Sequence, residues 1–233
     1  MSINKENNLL NQKIVYDLTP FTHLDFPNHL SCIVWMSGCN MRCDYCYNKD
    51  IVFNKKGKYS FEDILNCLKT RVGLLDGVVL SGGEATQNNL VPFCQALKKL
   101  RFKIKLDTNG TNHLLLQQLL KLNLLDYVAL DYKAPKTKFQ SITHSNFYEN
   151  FSKSLDLLIT STIKFEVRTT IHSDLLNEDD INVIINDLYN RGYKKTYYLQ
   201  KFLPTTQNIG NISEPINSFN KILLVDKIPI VWR

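Results

Sequence analysis

Short apolar runs alternate along the chain with stretches in which apolar residues recur every three or four positions. Runs of the first kind suit strands buried on both faces, and those of the second suit amphipathic helices. Strands are expected over 30–36, 77–80, 102–107, 127–131, 164–171 and 196–202. Between them, Phe61, Ile64, Leu65 and Leu68 fall at i, i+3, i+4 and i+7 behind a Ser60 cap. Phe147, Phe151, Leu155 and Leu158 form a second stripe, and Ile181, Ile184, Ile185 and Leu188 a third behind Asn177. The βα order repeats, which predicts a parallel sheet with right-handed crossovers and helices on the outside. Six units of about 30 residues use about 180, whereas a closed eight-fold barrel takes about 250. The expected fold is therefore α/β, an open partial (βα)6 barrel. Its organisation is expected to be a single domain over 1–233, with 1–13 an irregular N-terminal segment and 205–233 a C-terminal extension in which 228–232 adds a short strand.

Length and charge narrow the classes. A chain of 233 residues with 44% hydrophobic content can bury a large core. Its apolar runs fall far short of the ~20 residues a membrane span needs. The net charge of +6 is spread over short runs such as Lys55-Lys56-Gly57-Lys58, Lys98-Lys99 and Lys194-Lys195. Without a basic stripe interleaved with aromatics, these read as solvated surface, and nucleic acid is not an expected partner. Met1 to Asn8 is polar and carries no secretory h-region, so a cytoplasmic setting is expected.

The chemistry concentrates in Gly38-Cys39-Asn40-Met41-Arg42-Cys43-Asp44-Tyr45-Cys46, a C-x3-C-x2-C run. A structural zinc site needs four closed ligands, commonly from two knuckles, yet no second C-x2-C and no H-x3-H is present. A disulfide framework would suit an oxidising compartment that this N-terminus does not suggest. Iron–sulfur clusters usually take four thiolates, so three on one loop leave one iron open to a ligand. Cys32 lies in a strand-like run and Cys67 and Cys94 in helix-like ones, where small buried hydrophobes account for them.

In parallel α/β sheets, ligands belong at the carboxyl ends of strands. Ser81-Gly82-Gly83-Glu84 stands at such an end, where glycines let a ligand approach the main chain. Asp107 in Leu106-Asp107-Thr108-Asn109-Gly110 could accept ribose hydroxyls, and Lys133 in Asp131-Tyr132-Lys133-Ala134-Pro135 could neutralise a carboxylate. Each motif alone reads equally as a turn, a surface charge or a cap.

Together the cysteine loop, with its aromatic Tyr45 and Gly-Cys-Asn opening, and the Ser-Gly-Gly-Glu resemble the signature of the radical S-adenosylmethionine (SAM) enzymes. Phe26-Pro27, the Asp-Tyr-Lys-Ala-Pro, Val167-Arg168-Thr169-Thr170 and Leu199-Gln200-Lys201-Phe202 add to the resemblance. Over about residues 14 to 204 the set looks like a compact activating enzyme of the anaerobic ribonucleoside-triphosphate reductase type. The resemblance implies a [4Fe–4S] cluster on Cys39, Cys43 and Cys46 and SAM at the open iron. It places Tyr45 near adenine, Gly82, Gly83 and Glu84 at the amino group, and Asp107, Lys133 and Arg168 at the ribose and carboxylate. Gln200 would lie near adenine, or simply line the barrel. Asp107 and Asp131 could also hold a monovalent cation, and His172 reads as a strand-end histidine satisfied by a neighbour. A glycyl radical enzyme is the implied partner, with flavodoxin or ferredoxin as electron donor. Asn28 stands where the pattern has glycine, and no eight-cysteine ferredoxin insert is present. The alternatives are a small-molecule enzyme resembling deazaguanine synthase, and a non-catalytic metal-binding module.

Overall fold

A computed structural model describes residues 10–205 and 207–233. The fold is α/β with a mostly parallel sheet that is not closed into a barrel. The chain forms two compact units. The first comprises 10–40, 50–108 and 114–128, and the second 41–49, 109–113 and 129–233.

The first unit holds β1 (Lys13–Thr22), β2 (Ser31–Met36), α1 (Lys49–Phe53), β3 (Tyr59–Ser60), α2 (Phe61–Lys69), β4 (Gly77–Gly82), α3 (Val91–Lys99), β5 (Lys103–Thr108) and the bulk of α4 (His113–Lys121), in strand order β3-β1-β2-β4-β5. The expected strands over 30–36, 77–80 and 102–107 are present as β2, β4 and β5, paired in parallel. β1 is an addition that the periodicity did not announce. It runs antiparallel to β2 and β3 with register irregularities, and its residues are mostly half-buried or exposed. Asp17, Thr19 and Pro20 break the apolar run that would have marked it. Lys13, the last residue of the segment expected to be irregular over 1–13, opens this strand, and residues 1–9 lie outside the described residues.

Ser60 caps α2 with a reciprocal box, its hydroxyl accepting the Asp63 N–H while the Asp63 carboxylate accepts the Ser60 N–H. Phe61, Ile64, Leu65 and Leu68 are all buried, as their spacing predicts. Asn28 has φ 61°. This left-handed conformation is the reason a glycine suits the position and an asparagine can replace it.

The second unit contains β6 (Tyr127–Asp131) from Ala129 onward, α5 (Lys136–Thr143), α6 (Tyr148–Thr160), β7 (Lys164–Ile171), α7 (Glu178–Asn190), β8 (Tyr197–Lys201) and β9 (Ile230–Trp232), in strand order β6-β7-β8-β9. β7, β8 and β9 pair in parallel, so the short strand expected in the C-terminal extension is found. Asn177 and Asp180 form the capping box of α7, and Ile181, Ile184, Ile185 and Leu188 are fully buried. Phe151, Leu155 and Leu158 likewise face inward from α6, whereas Phe147 precedes that helix and is exposed. Tyr132, just past β6, meets Phe151 edge-on at 4.6 Å and bonds Asp187 of α7 at 3.0 Å, tying sheet to helices.

Candidate active site

In the first unit, β2 runs into Ser37-Gly38-Cys39 beside the parallel β4, with Met36 opposite Gly82. The Gly83 N–H donates to the Met36 carbonyl at 2.9 Å and the Glu84 N–H to the Gly38 carbonyl at 2.9 Å. The two glycines answer to this approach. A Cβ on Gly82, whose φ is +115°, would stand 2.3 Å from the Met36 nitrogen, and one on Gly83 would stand 1.8 Å from the Gly38 oxygen. The Ser-Gly-Gly-Glu turn is thus keyed to the main chain that presents Cys39.

Glu84 is buried, and its Oε1 accepts from the Thr86 N–H at 3.1 Å, the Thr86 hydroxyl at 2.6 Å and the Thr108 hydroxyl at 2.7 Å. Asp107 accepts from the Ser81 hydroxyl at 3.1 Å and is paired with Lys105, whose side chain is only 3% exposed. Asp107 is therefore a held carboxylate rather than a loose surface charge. Thr86 and Lys105, which the motifs do not single out, and Thr108, which lies inside the Asp107-Thr108-Asn109-Gly110 run, are the side chains that hold these two carboxylates. Lys105 and Asp107 stand i and i+2 on a strand, hence on one face, and that spacing was the available signal.

In the second unit, the Cys46 N–H donates to the Cys43 carbonyl at 3.0 Å, closing a turn around buried Tyr45. The Tyr45 hydroxyl donates to the Lys133 carbonyl at 3.3 Å, and the Lys133 ammonium lies 5.9 Å from the Tyr45 ring centre. Burial pushes the Tyr45 phenol up against the opposing pull of Lys133, so it stays a donor. Lys133 and Arg168 share one carboxylate: Asp131 accepts from the Lys133 ammonium at 3.0 Å and from the Arg168 Nε. The Tyr132 N–H donates to the Arg168 carbonyl at 2.8 Å, aligning the two strands that carry them.

Burial alone would push Asp131 up, but Arg168 and Lys133 outweigh it and hold the carboxyl well below the usual carboxylate range. Burial lowers Lys133, yet Asp131 more than offsets this and keeps the ammonium charged. Gln200 is half-buried opposite Thr170, one same-face step beyond Tyr198, which is the partner of Arg168. His172 bonds the Ser213 carbonyl through Nε2 at 2.9 Å and packs on Phe202, while its buried Nδ1 has no partner. The strand-end expectation for His172 is thus met by one nitrogen only.

Replacing Asp131 with asparagine leaves two adjacent cations without a counter-charge, at an expected cost of about 3 kcal/mol at pH 7. A carboxylate with a depressed folded value contributes fully above its unfolded value near 4, and the contribution is lost as pH falls through the folded value. The melting difference between wild type and Asp131→Asn should therefore hold from about pH 5 to pH 8 and shrink below about pH 4. A pH-independent difference would show that the loss is packing rather than charge.

None of the six cysteines forms a disulfide. Burial pushes the Cys32 and Cys94 thiols up to about 12, which keeps both protonated at neutral pH. Cys67 is half-buried on α2. Among the described residues no three His, Cys, Asp or Glu side chains stand grouped as a preformed metal site. The fit of Cys39, Cys43 and Cys46 to a cluster rests on the donor set: three thiols within eight residues, on a loop whose ends are each fixed by main-chain hydrogen bonds. Asp107 and Asp131, the candidates for a monovalent cation, are both engaged by cationic side chains.

The radical SAM superfamily profile matches residues 33–188. The chain is 28% identical over 198 residues to the Methanocaldococcus jannaschii protein named "Putative glycyl-radical enzyme activating enzyme", covering 82% of this chain and 80% of that one. It is 24% identical over 200 residues to the 7-carboxy-7-deazaguanine synthase of Buchnera aphidicola, covering 74% and 89% respectively. Among solved structures, Streptococcus suis SuiB bound to S-adenosylmethionine superposes with a TM-score of 0.67 at 11% identity, over 86% of this chain. This chain spans 49% of SuiB, and the likeness is one of fold. The cysteine loop, the glycine-keyed turn beside it and the profile match agree: the chain belongs to the radical SAM superfamily, whose cofactors are a [4Fe–4S] cluster and S-adenosylmethionine.

Proposed function

We propose that this chain is an activase that generates a glycyl radical on a partner enzyme, of the anaerobic ribonucleoside-triphosphate reductase type. The observation that carries this reading is the similarity to the M. jannaschii protein, which extends over four-fifths of both chains. The ordered motifs from Phe26-Pro27 to Leu199-Gln200-Lys201-Phe202 support it. The Buchnera relative favours a second reading, a small-molecule enzyme of the deazaguanine synthase kind.

When bound, the cluster and SAM supply a 5′-deoxyadenosyl radical by one-electron reductive cleavage. In this reading Cys39, Cys43 and Cys46 hold the cluster. Gly82 and Gly83 bring main-chain groups to the SAM amino end beside Glu84, which Thr86 and Thr108 orient. Asp107, held by Lys105 and Ser81, takes the ribose. Lys133 and Arg168 present positive charge to the carboxylate while Asp131 keeps both in place. Tyr45 and Gln200 border the adenine. One electron enters from a flavodoxin or ferredoxin, for which the net charge of +6 suits an acidic partner. A cytoplasmic setting keeps the thiols reduced. Among the described residues no helix is long and apolar enough to cross a membrane.

A glycine Cα carries two hydrogens, and loss of one leaves a radical stabilised by both flanking amides. In this reading the hydrogen lost from the glycine would be recovered in 5′-deoxyadenosine. Reduced protein with SAM and an oxygen-sensitive ribonucleotide reductase is expected to produce a glycine-centred doublet in the electron paramagnetic resonance spectrum. Deuterated glycine in that partner should transfer label into 5′-deoxyadenosine. Unlabelled 5′-deoxyadenosine, with no partner radical from any glycyl radical enzyme of the same cell, would hand the chain to the small-molecule reading.

A further inference from the structure

The Met41–Cys46 stretch is gripped from two sides by segments distant in sequence. On one side is the end of α5, capped by His144 in a left-handed conformation (φ 51°). The last carbonyls of a helix lack intrahelical partners. Here the Thr143 carbonyl accepts the Arg42 N–H at 2.9 Å and the Ile142 carbonyl accepts the Asp44 N–H at 3.1 Å. His144 Nε2 adds a bond to Asp44 Oδ1 at 2.8 Å.

On the other side, a turn over 208–212 presents two N–H donors: Ile209 to the Cys46 carbonyl at 3.0 Å, and Gly210 to the Asp44 carbonyl at 2.9 Å. Asn208, 2% exposed, builds this turn from within. Its amide nitrogen donates to the carbonyls of Thr205 at 3.1 Å and Ile212 at 2.7 Å, and its oxygen accepts the Ile212 N–H at 2.7 Å. Gly210 has no room for a side chain, since a Cβ there would lie 2.6 Å from the Asp44 Cβ and 2.8 Å from its Cα.

We propose that the 208–210 turn is a clasp for the cluster loop: it holds the Cys43–Cys46 backbone in one conformation before iron arrives and slows the loss of iron afterwards. The proposal rests on the reading that Cys39, Cys43 and Cys46 bind the cluster. Its physical basis is preorganisation. Ordering a free loop upon metal binding costs conformational entropy, and a loop already fixed by α5 and the clasp avoids that cost. The engaged carbonyls belong to Cys46, a proposed ligand, and to Asp44, the residue after the proposed ligand Cys43, so the clasp acts on the main chain of the ligand loop as outer contacts around metal sites do. Asn208, Ile209 and Gly210 are positioning residues and carry no chemistry.

Hydrogen exchange of amides 42–46 in the iron-free protein, and iron release to a ferrous chelator after anaerobic reconstitution, read the two halves of the proposal. Gly210→Ala should speed exchange of those amides and raise the iron-release rate, each by about 10-fold. Asn208→Ala loosens the turn without inserting bulk and should act in the same direction, so it decides the matter if Gly210→Ala does not fold. Gly192→Ala is the control, because Gly192 has φ +86° and nothing lies within 4 Å of the place its Cβ would take; it should leave both readings unchanged. Wild-type exchange at 42–46 in both clasp variants overturns the clasp, whatever their iron release. If wild type takes up no cluster, the ligand reading falls, and the exchange measurement on the iron-free chain still tests the clasp.

Discussion

Alanine at Cys39, Cys43 or Cys46 is expected to abolish the [4Fe–4S] absorption band and SAM cleavage, one substitution sufficing in each case. Each thiolate supplies one iron ligand, and the remaining cysteines offer no substitute. Cys32 sits fully buried in β2 opposite Val78, and Cys94 is fully buried in α3. Their thiols, pushed up to about 12 by burial, stay protonated and inert at neutral pH. Cys94→Ala should therefore keep a full cluster and lose only packing, and Cys67→Ala, on α2 and outside the cysteine loop, should do the same. Iron and sulfide content after anaerobic reconstitution, with the absorption spectrum, makes the check. A cluster of normal yield in Cys43→Ala protein would remove the assignment.

Gly83→Ala should be the most damaging single-methyl change in the first unit. The obstacle to its Cβ is the Gly38 oxygen at 1.8 Å, a backbone atom that cannot swing aside as a side chain can. The turn must then separate from Ser37-Gly38-Cys39, breaking the Gly83-to-Met36 and Glu84-to-Gly38 hydrogen bonds together. Two lost bonds and the accompanying strain amount to about 2–4 kcal/mol, or roughly 5–10 °C in melting temperature for a chain of this size. Gly73→Ala provides the comparison. Gly73 also has a positive φ, +81°, but nothing lies within 4 Å of its Cβ position, so only the conformational penalty of about 1 kcal/mol applies. SAM affinity measured on folded Gly83→Ala protein should fall while that of Gly73→Ala stays normal. Equal melting temperatures for the two variants would show that the turn is not keyed to the cysteine loop.

The primary sequence determined the parallel strands and their helices because those signals are local. Phe61, Ile64, Leu65 and Leu68 repeat with a helical period and fall behind a capping serine wherever the chain goes, and 127–130 is an apolar run bounded by Asp126 and Asp131. The chemistry-bearing residue types were equally legible, since three cysteines in eight residues or two glycines before a glutamate depend on no fold. β1 was not legible, because Asp17, Thr19 and Pro20 interrupt its pattern and its pairing with β2 and β3 is settled only when those strands are present.

Only tertiary structure decided the partners. Glu84 meets Thr108 from 24 residues away, Asp107 meets Ser81 from 26, and Asp131 meets Arg168 from 37. These contacts turn isolated charges, each readable as surface, into held groups. Cys46 meets Ile209 through a main-chain bond that no side-chain pattern announces. Lys105 marks the boundary between the two kinds of information. Its i, i+2 relation to Asp107 is plain in the sequence, but a lysine inside a strand reads as solvent-facing until the sheet is assembled, and here it is 2% exposed. Spacing sets which face a residue occupies, while burial and pairing depend on what the rest of the chain places against that face.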